Sequence, residues 1–433
     1  MAQFLTTTLA RFATEPVQTS TDARLITSLS ALDWLAVGKA GKNEPVAKIM
    51  RDLARDEAGA GQAQIFGADF LVPARMAALV NGTTSHALDY DDTHFAHIGH
   101  PSVAVFPAAF AMGEVLDCAL VEVLEAALVG MELSVRIGLW LGRDHYQTGF
   151  HQTATAGAFG AAAAAGRLAG LNAERMAHAL GLTATRATGL KVQFGTMGKP
   201  YNAGIAAAAG VETVQLVKRG FEASTDALEG EFGFGATHHG QSETEIALSG
   251  LGDTWLFEGV SHKFHACCHG LHAALEAARD LDIAEPEIAE MTVKTHPRWM
   301  SVCNKLAPQT GLGAKFSFAT VLAMTATGYD TAVLESYSDR TCADLRIRDL
   351  RGRINVLADD RLSETEATLC VLRRDGSRLE ATHDLRAPLD LAERQDRVRR
   401  KAAALIGTEL ADLAWGQLKS GGSATGFAAL MHR

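Results

Sequence analysis

Between two apolar helical segments the chain inserts Asn81-Gly82-Thr83-Thr84-Ser85-His86-Ala87-Leu88-Asp89-Tyr90-Asp91-Asp92-Thr93-His94-Phe95-Ala96-His97-Ile98-Gly99-His100-Pro101. Three carboxylates, four imidazoles and several hydroxyls fall in this one stretch. A surface loop would carry them without strain. Between buried helices, each such group must find a partner or suffer desolvation. The stretch therefore predicts a polar pocket at helix ends, with carboxylate–imidazole pairs set for proton transfer.

The flanking sequence is helical in period. Leu25, Leu29, Leu32 and Ala36 recur at helical spacing over residues 22–37. Pro45 opens a helix to about residue 55, Pro73 one over residues 74–80, and Pro101 one to about residue 116. Residues 120–141 are apolar almost all round, and Glu132 is placed to pair with Arg136 one turn on. A second polar run, 144–153, leads into an Ala/Gly helix over 154–171, where backbones can approach closely. Further helix is read over 172–190. A third run, Gly195-Thr196-Met197-Gly198-Lys199-Pro200, reads as a loop before a helix over 203–218, with Lys199 close to its positive N-terminal end.

After about residue 240 the texture changes. Met291, Val293 and Thr295 alternate as a strand does, and strands are also read at 353–357 and 366–373, the latter turning at Asp375-Gly376 into 378–382. The expected fold class is mainly α: a large all-helical domain, residues 1–255 with 391–433, plus a smaller α+β lid domain, residues 256–390.

Length and charge agree with that division and narrow the function. At 433 residues the chain exceeds a single typical domain. A formal net charge of -10, with Arg397-Val398-Arg399-Arg400-Lys401 as the one basic cluster, argues against nucleic acid. The first sixteen residues lack the basic start and long apolar run of a signal peptide. The most apolar stretch, 120–141, holds Glu122, Glu125, Glu132 and Arg136, so no membrane span is expected. Six cysteines, of which only Cys267 and Cys268 are adjacent, form no disulfide or zinc framework; the expectation is a soluble, reduced, cytoplasmic protein.

Five signatures in order resemble the MmgE/PrpD family. They are Asn81-Gly82 with His86-Ala87-Leu88-Asp89-Tyr90-Asp91-Asp92-Thr93 and His100-Pro101-Ser102; Gly149-Phe150-His151-Gln152-Thr153; Gly195-Thr196-Met197-Gly198-Lys199-Pro200; Leu228-Glu229-Gly230-Glu231-Phe232-Gly233-Phe234; and Lys263-Phe264-His265-Ala266-Cys267. The family includes 2-methylcitrate dehydratases, cis-aconitate decarboxylases and iminodisuccinate epimerase. The resemblance implies a helical domain and an α+β lid with a cleft between them, a homodimer, no metal or organic cofactor, and a small di- or tricarboxylate substrate. It implies site positions Asp89, Thr93, His100, His151, Lys199 and Lys263.

On chemical grounds, deprotonation beside a carboxylate needs a base near carbon and positive charge near the oxygens. His100 is the first candidate for acid or base, Asp89 its orienting partner, and His151 a second acid. Lys199 and Lys263 would hold carboxylates, Thr93 would hydrogen-bond one, and His86 is counted with them as substrate-binding. Tyr146 is a candidate from the second run. For His94 and His97 the ordinary role is structural. Their three-residue spacing to His100, with Asp89, Asp91 and Asp92 nearby, imitates a metal set but matches no tight zinc motif. The glycine-rich runs at 157–160 and 230–235 follow no strand, which excludes a dinucleotide fingerprint.

Two departures from the family stand out. A tyrosine common after Phe316-Ser317 is replaced by Phe318-Ala319-Thr320, and Asp91 stands where the methylcitrate-dehydratase form of the motif has Asn. The leading expectation is a lyase, a dehydratase or decarboxylase. An epimerase, which returns the proton to the opposite face, is the alternative, and a helical binding or scaffold protein is the non-enzymatic one.

Overall fold

Small residues set how the helices approach one another. The structure, a computed structural model, describes residues 4–240 and 243–432, so the first three residues of the N-terminal reading lie outside it. Its first helices are α1 (Leu5–Thr14), α2 (Thr21–Gly41), α3 (Pro45–Glu57), α4 (Ala74–Ser85), α5 (Ser102–Val115), α6 (Leu120–Thr148), α7 (Gln152–Leu168), α8 (Ala173–Arg186) and α9 (Gly198–Val217). The chain divides into two compact units, residues 1–262 with 398–433, and residues 263–397.

In the first unit α6 packs along α7, α7 along α9, and α9 along α4. A Cβ on Gly130 of α6 would lie 2.5 Å from the Gly160 carbonyl oxygen of α7, and one on Gly160 equally close to that of Gly130. A Cβ on Gly82 of α4 would come within 2.8 Å of Gly204 Cα in α9. These contacts leave no room for a methyl group, so the helices carrying the polar motifs are held backbone to backbone.

Several boundaries differ from the sequence reading, each for a local reason. Helix α4 runs on to Ser85, so the first five residues of the polar stretch are helical and buried. Helix α6 breaks at Gly142 (φ 68°, ψ -170°) and then resumes to Thr148, so much of the second polar run is helix rather than loop. Residues 172–190 carry one helix, α8, ending at Arg186. Helix α9 begins at Gly198, which puts Lys199 and Pro200 inside its first turn, where proline's missing N–H costs nothing. The Glu132–Arg136 pair forms inside α6 with Nε–Oε1 at 2.7 Å, both side chains buried. Glu132 also accepts the N–H groups of Leu256 and Phe257, and Arg136 donates to the carbonyls of Ala247, Ser249, Gly250 and Thr254.

The second unit carries a mixed four-stranded sheet in the order β2-β1-β3-β4, from β1 (Ile288–Thr295), β2 (Ile354–Ala358), β3 (Glu366–Arg373) and β4 (Arg378–Asp384). Strands β1 and β2 are parallel and the other pairs antiparallel. Met291, Val293 and Thr295 share the buried face as their alternation predicted, and β3 turns into β4 through Gly376 at φ 87°. The helix His272–Asp280 packs on β3 and β4.

Candidate active site

Helix α4 ends at His86, its C-cap, and the chain then turns sharply. Asp89 takes a left-handed φ of 51°, a conformation aspartate tolerates better than most residues. The turn brings Asp91 back under the helix end, and His86 Nδ1 lies 2.9 Å from Asp91 Oδ1. His100 Nδ1 lies 2.7 Å from the other oxygen, Oδ2. Burial alone would push the Asp91 carboxyl up, but the charges and hydrogen bonds of His86 and His100 overcome it and hold the group well below the usual carboxylate range. An ionised carboxylate only accepts, so Nδ1 of His86 is the donor.

A second carboxylate stands at the open side. Asp89 Oδ1 is 3.5 Å from His100 Nε2, and Asp89 Oδ2 is 2.7 Å from Lys199 Nζ. Side-chain exposure is 44% for Asp89, 15% for Lys199 and 10% for His100, against 1% for Asp91, so the cluster meets solvent at Asp89. The Lys199 ammonium also lies 5.3 Å from the Phe194 ring.

His151 completes the group from the N-terminus of α7. Its ring stacks 6.0 Å from His86 and meets Phe194 edge-on at 4.9 Å. Burial, with the neighbouring positive charge of His86, Lys199 and His100, holds its imidazole well below the ordinary histidine value. His100 is tied to the same helix end, because its backbone N–H donates to Thr153 Oγ1 at 3.0 Å. A Cβ on Gly99 would lie 2.7 Å from Thr153 N, so a side chain there would separate the first and second motifs. Ile98, β-branched and at φ 54°, carries the backbone strain of this turn.

The structure thus brings together Asp89, His86, His100, His151 and Lys199. His86 is buried, and its Nδ1 is engaged by Asp91. Thr93 is buried, and its backbone pairs in both directions with Ser261. Tyr146 stands near the end of α6, and what the structure brings to its ring is the Lys191 ammonium at 3.7 Å. Lys263 is the first residue of the second unit and is buried. Phe318, Ala319 and Thr320, at the position of the family tyrosine, are buried at the start of the helix Phe318–Ala326.

Two histidines of the opening stretch do other work. His94 Nε2 bonds the Leu256 carbonyl at 2.8 Å, and burial lowers its value to about 4. His97 bonds Ser134 Oγ at 3.0 Å and is lowered by burial to about 3. Both are buried histidines whose Nε2 is taken by a neighbouring oxygen, which argues against the three-residue spacing as a ligand set. Among the described residues the metal-capable donors are instead His86, Asp89, Asp91 and His100, with ligand atoms within 4.8 Å of one another. Asp91 already has an imidazole nitrogen at each oxygen, and Asp89 carries an ammonium. A divalent ion would have to displace these partners and share the space with Lys199, so the donor set suits acid–base chemistry better than coordination.

Asp91 is the residue sequence reasoning undervalued. It was noted only as a departure and as a neighbour of histidines, because spacing alone does not show a five-residue turn folding it back onto His86. Asn202, bonded to His151, gave no signal beyond lying close after Lys199-Pro200.

The MmgE/PrpD N-terminal domain matches residues 7–247 and the MmgE/PrpD C-terminal domain residues 265–413. The chain is 34% identical over 226 residues to cis-aconitate decarboxylase of Aspergillus terreus, covering 49% of this chain and 46% of that protein. It is 29% identical over 266 residues to the cis-aconitate decarboxylase of Homo sapiens, covering 59% of this chain and 55% of that protein. The chain therefore spans about half the length of the curated relatives it matches.

Proposed function

Because the chain belongs to the MmgE/PrpD family, we propose that its imidazole–carboxylate cluster is the acid–base centre of a lyase that decarboxylates or dehydrates a small polycarboxylate, with an unsaturated tricarboxylate of the cis-aconitate kind as the leading substrate. The observation that carries this is the arrangement around His100. One nitrogen faces the buried, ionised Asp91, and the other faces Asp89, which holds Lys199 at the open side. The relatives' names support decarboxylation over the other lyase outcome.

The residues divide the work as follows. A substrate carboxylate takes the place of Asp89 at the Lys199 ammonium, a charge-assisted contact of the kind Lys makes as a compact point charge. When the bond from carbon to a carboxylate breaks, carbon dioxide leaves and the electron pair passes into the adjacent conjugated system. Lys199 stabilises the charge that develops there. His100, with the Asp91 carboxylate at its Nδ1, carries the proton that the product carbon takes up. Lys263 keeps the substrate-binding role the resemblance implies, and a homodimer is part of the same proposal. No metal takes part in this reading, since the carboxylates are engaged by imidazole and ammonium groups.

The test is turnover of a panel of polycarboxylates, cis-aconitate and 2-methylcitrate among them, in excess chelator, by protein with and without Lys199→Ala. Turnover should survive the chelator. The variant should fold normally and lose at least about tenfold in kcat/KM, because a charged hydrogen bond contributes about 1.5–3 kcal/mol. Equal kinetics for the two proteins would move the site away from α9.

A further inference from the structure

We propose that Asn202 is a positioning residue that fixes His151 as the tautomer with its proton on Nε2, making His151 a hydrogen-bond donor to the substrate and leaving proton transfer to His100. The inference deepens the acid–base reading above and rests on it for its catalytic consequence. Its structural part stands on the hydrogen bonds alone.

Asn202 Nδ2 lies 3.2 Å from the Leu190 carbonyl oxygen and 3.1 Å from His151 Nδ1. The carbonyl can only accept, so the amide nitrogen must face it; reversing the amide would set two acceptors against each other. The two hydrogens of that nitrogen then serve both neighbours, one each. His151 Nδ1 therefore receives a hydrogen bond and must present a lone pair, which leaves the single proton of the neutral ring on Nε2. Protonating the ring would put a second N–H against the amide N–H.

Both partners are buried, Asn202 at 4% and His151 at 2%, so water does not offer a ready substitute for the bond. The frame around them is rigid. The His151 N–H donates to the Gly189 carbonyl at 2.9 Å, Phe150 pairs with Leu190, and the Lys191 N–H donates to the Gly149 carbonyl. A Cβ on Gly189, itself at φ 149°, would lie 2.5 Å from Ala154 Cβ. The segment that supplies the Leu190 carbonyl therefore sits tightly against the start of α7. Two imidazoles of one cluster thus receive opposite assignments: His100 faces a carboxylate and is suited to take up a proton, whereas His151 faces an amide and is suited to keep one.

Nitrogen NMR of the whole protein labelled with 15N-histidine tests this, with His151 assigned by the resonance lost in His151→Gln. Near neutral pH the native protein should show Nδ1 of His151 unprotonated and Nε2 protonated. In Asn202→Asp, whose carboxylate can accept but not donate, the proton should move to Nδ1. On a polycarboxylate that the native protein turns over, kcat should then fall at least about tenfold with KM little changed, the scale of a hydrogen bond to developing charge that is lost in the transition state. If Asn202 only anchored the Leu190 carbonyl, the variant would lose thermal stability without moving the proton. A native His151 protonated on Nδ1, or on both nitrogens, overturns the proposal, and so does an Asn202→Asp protein with unchanged tautomer. These NMR results need no substrate, so they stay decisive if no polycarboxylate is turned over.

Discussion

Asp91 and Asp92 are neighbours in sequence, yet their surroundings push them in opposite directions. Asp91 stays ionised because two imidazoles meet its oxygens. Asp92 is equally buried but has hydroxyls for partners, Ser102 Oγ at 2.6 Å among them. Burial, only partly offset by Ser102, and the nearby Asp33 and Asp91 carboxylates push it up to about 7. A carboxyl raised in the folded state stabilises below its unfolded value of 3.8, and that stabilisation is lost as pH rises through about 7. Asp92→Asn, which keeps the shape of the neutral acid, should remove this term. The drop in Tm between about pH 5 and about pH 8 should be smaller in the variant than in the native protein, as read by thermal melts. An identical drop in both proteins would mean that Asp92 is ionised throughout.

At the scale of elements, the apolar period of α2, the proline start of α5, the nearly all-apolar α6, the alternation of β1 and the Asp375-Gly376 hairpin were all readable in advance, because each depends on residues close in sequence. The misread boundaries share a cause. Polar runs were taken as breaks, yet Pro200 sits where a helix accepts it and α6 resumes past its Gly142 kink into the second run. The α4–α9 crossing was not legible, because Gly82 and Gly204 are far apart in sequence and meet only in space. A Cβ on Gly204 would lie 2.2 Å from Thr83 Oγ1 and 2.4 Å from the Leu79 carbonyl oxygen. Gly204→Ala should therefore destabilise the protein by about 1–3 kcal/mol in denaturant unfolding, although alanine is the better helix former. A neutral or stabilising result would show that α4 and α9 can move apart.

Across the whole molecule, the basic run near the C-terminus changes meaning. The helix Leu391–Ile406 carries Arg397, which pairs with Glu276 in the second unit, and Lys401, which is buried in the first. Lys401 Nζ lies 2.6 Å from Asp33 and donates to the Tyr90 carbonyl at 2.6 Å, so a residue more than three hundred positions away holds the backbone between Asp89 and Asp91. Read along the chain, the run was only the one basic cluster; the fold shows that part of it supports the candidate site. Lys401→Met should destabilise by about 3–5 kcal/mol by leaving the Asp33 carboxylate buried and unpaired, and adding Asp33→Asn should recover much of the loss in the same melts. The six cysteines are free in the structure, and no helix among the described residues is long and apolar enough to cross a membrane.

The central claim is that this cluster breaks a carbon–carboxylate bond and returns a proton to carbon without help from a metal. The most direct measurement is a chelator-treated incubation with cis-aconitate in deuterated water, following released carbon dioxide and product deuterium together by mass spectrometry and NMR. The account predicts one carbon dioxide released for each product formed, with one solvent deuteron bound to a product carbon. Substrate recovered intact, or a product of unchanged mass apart from deuterium at an inverted centre, would contradict it.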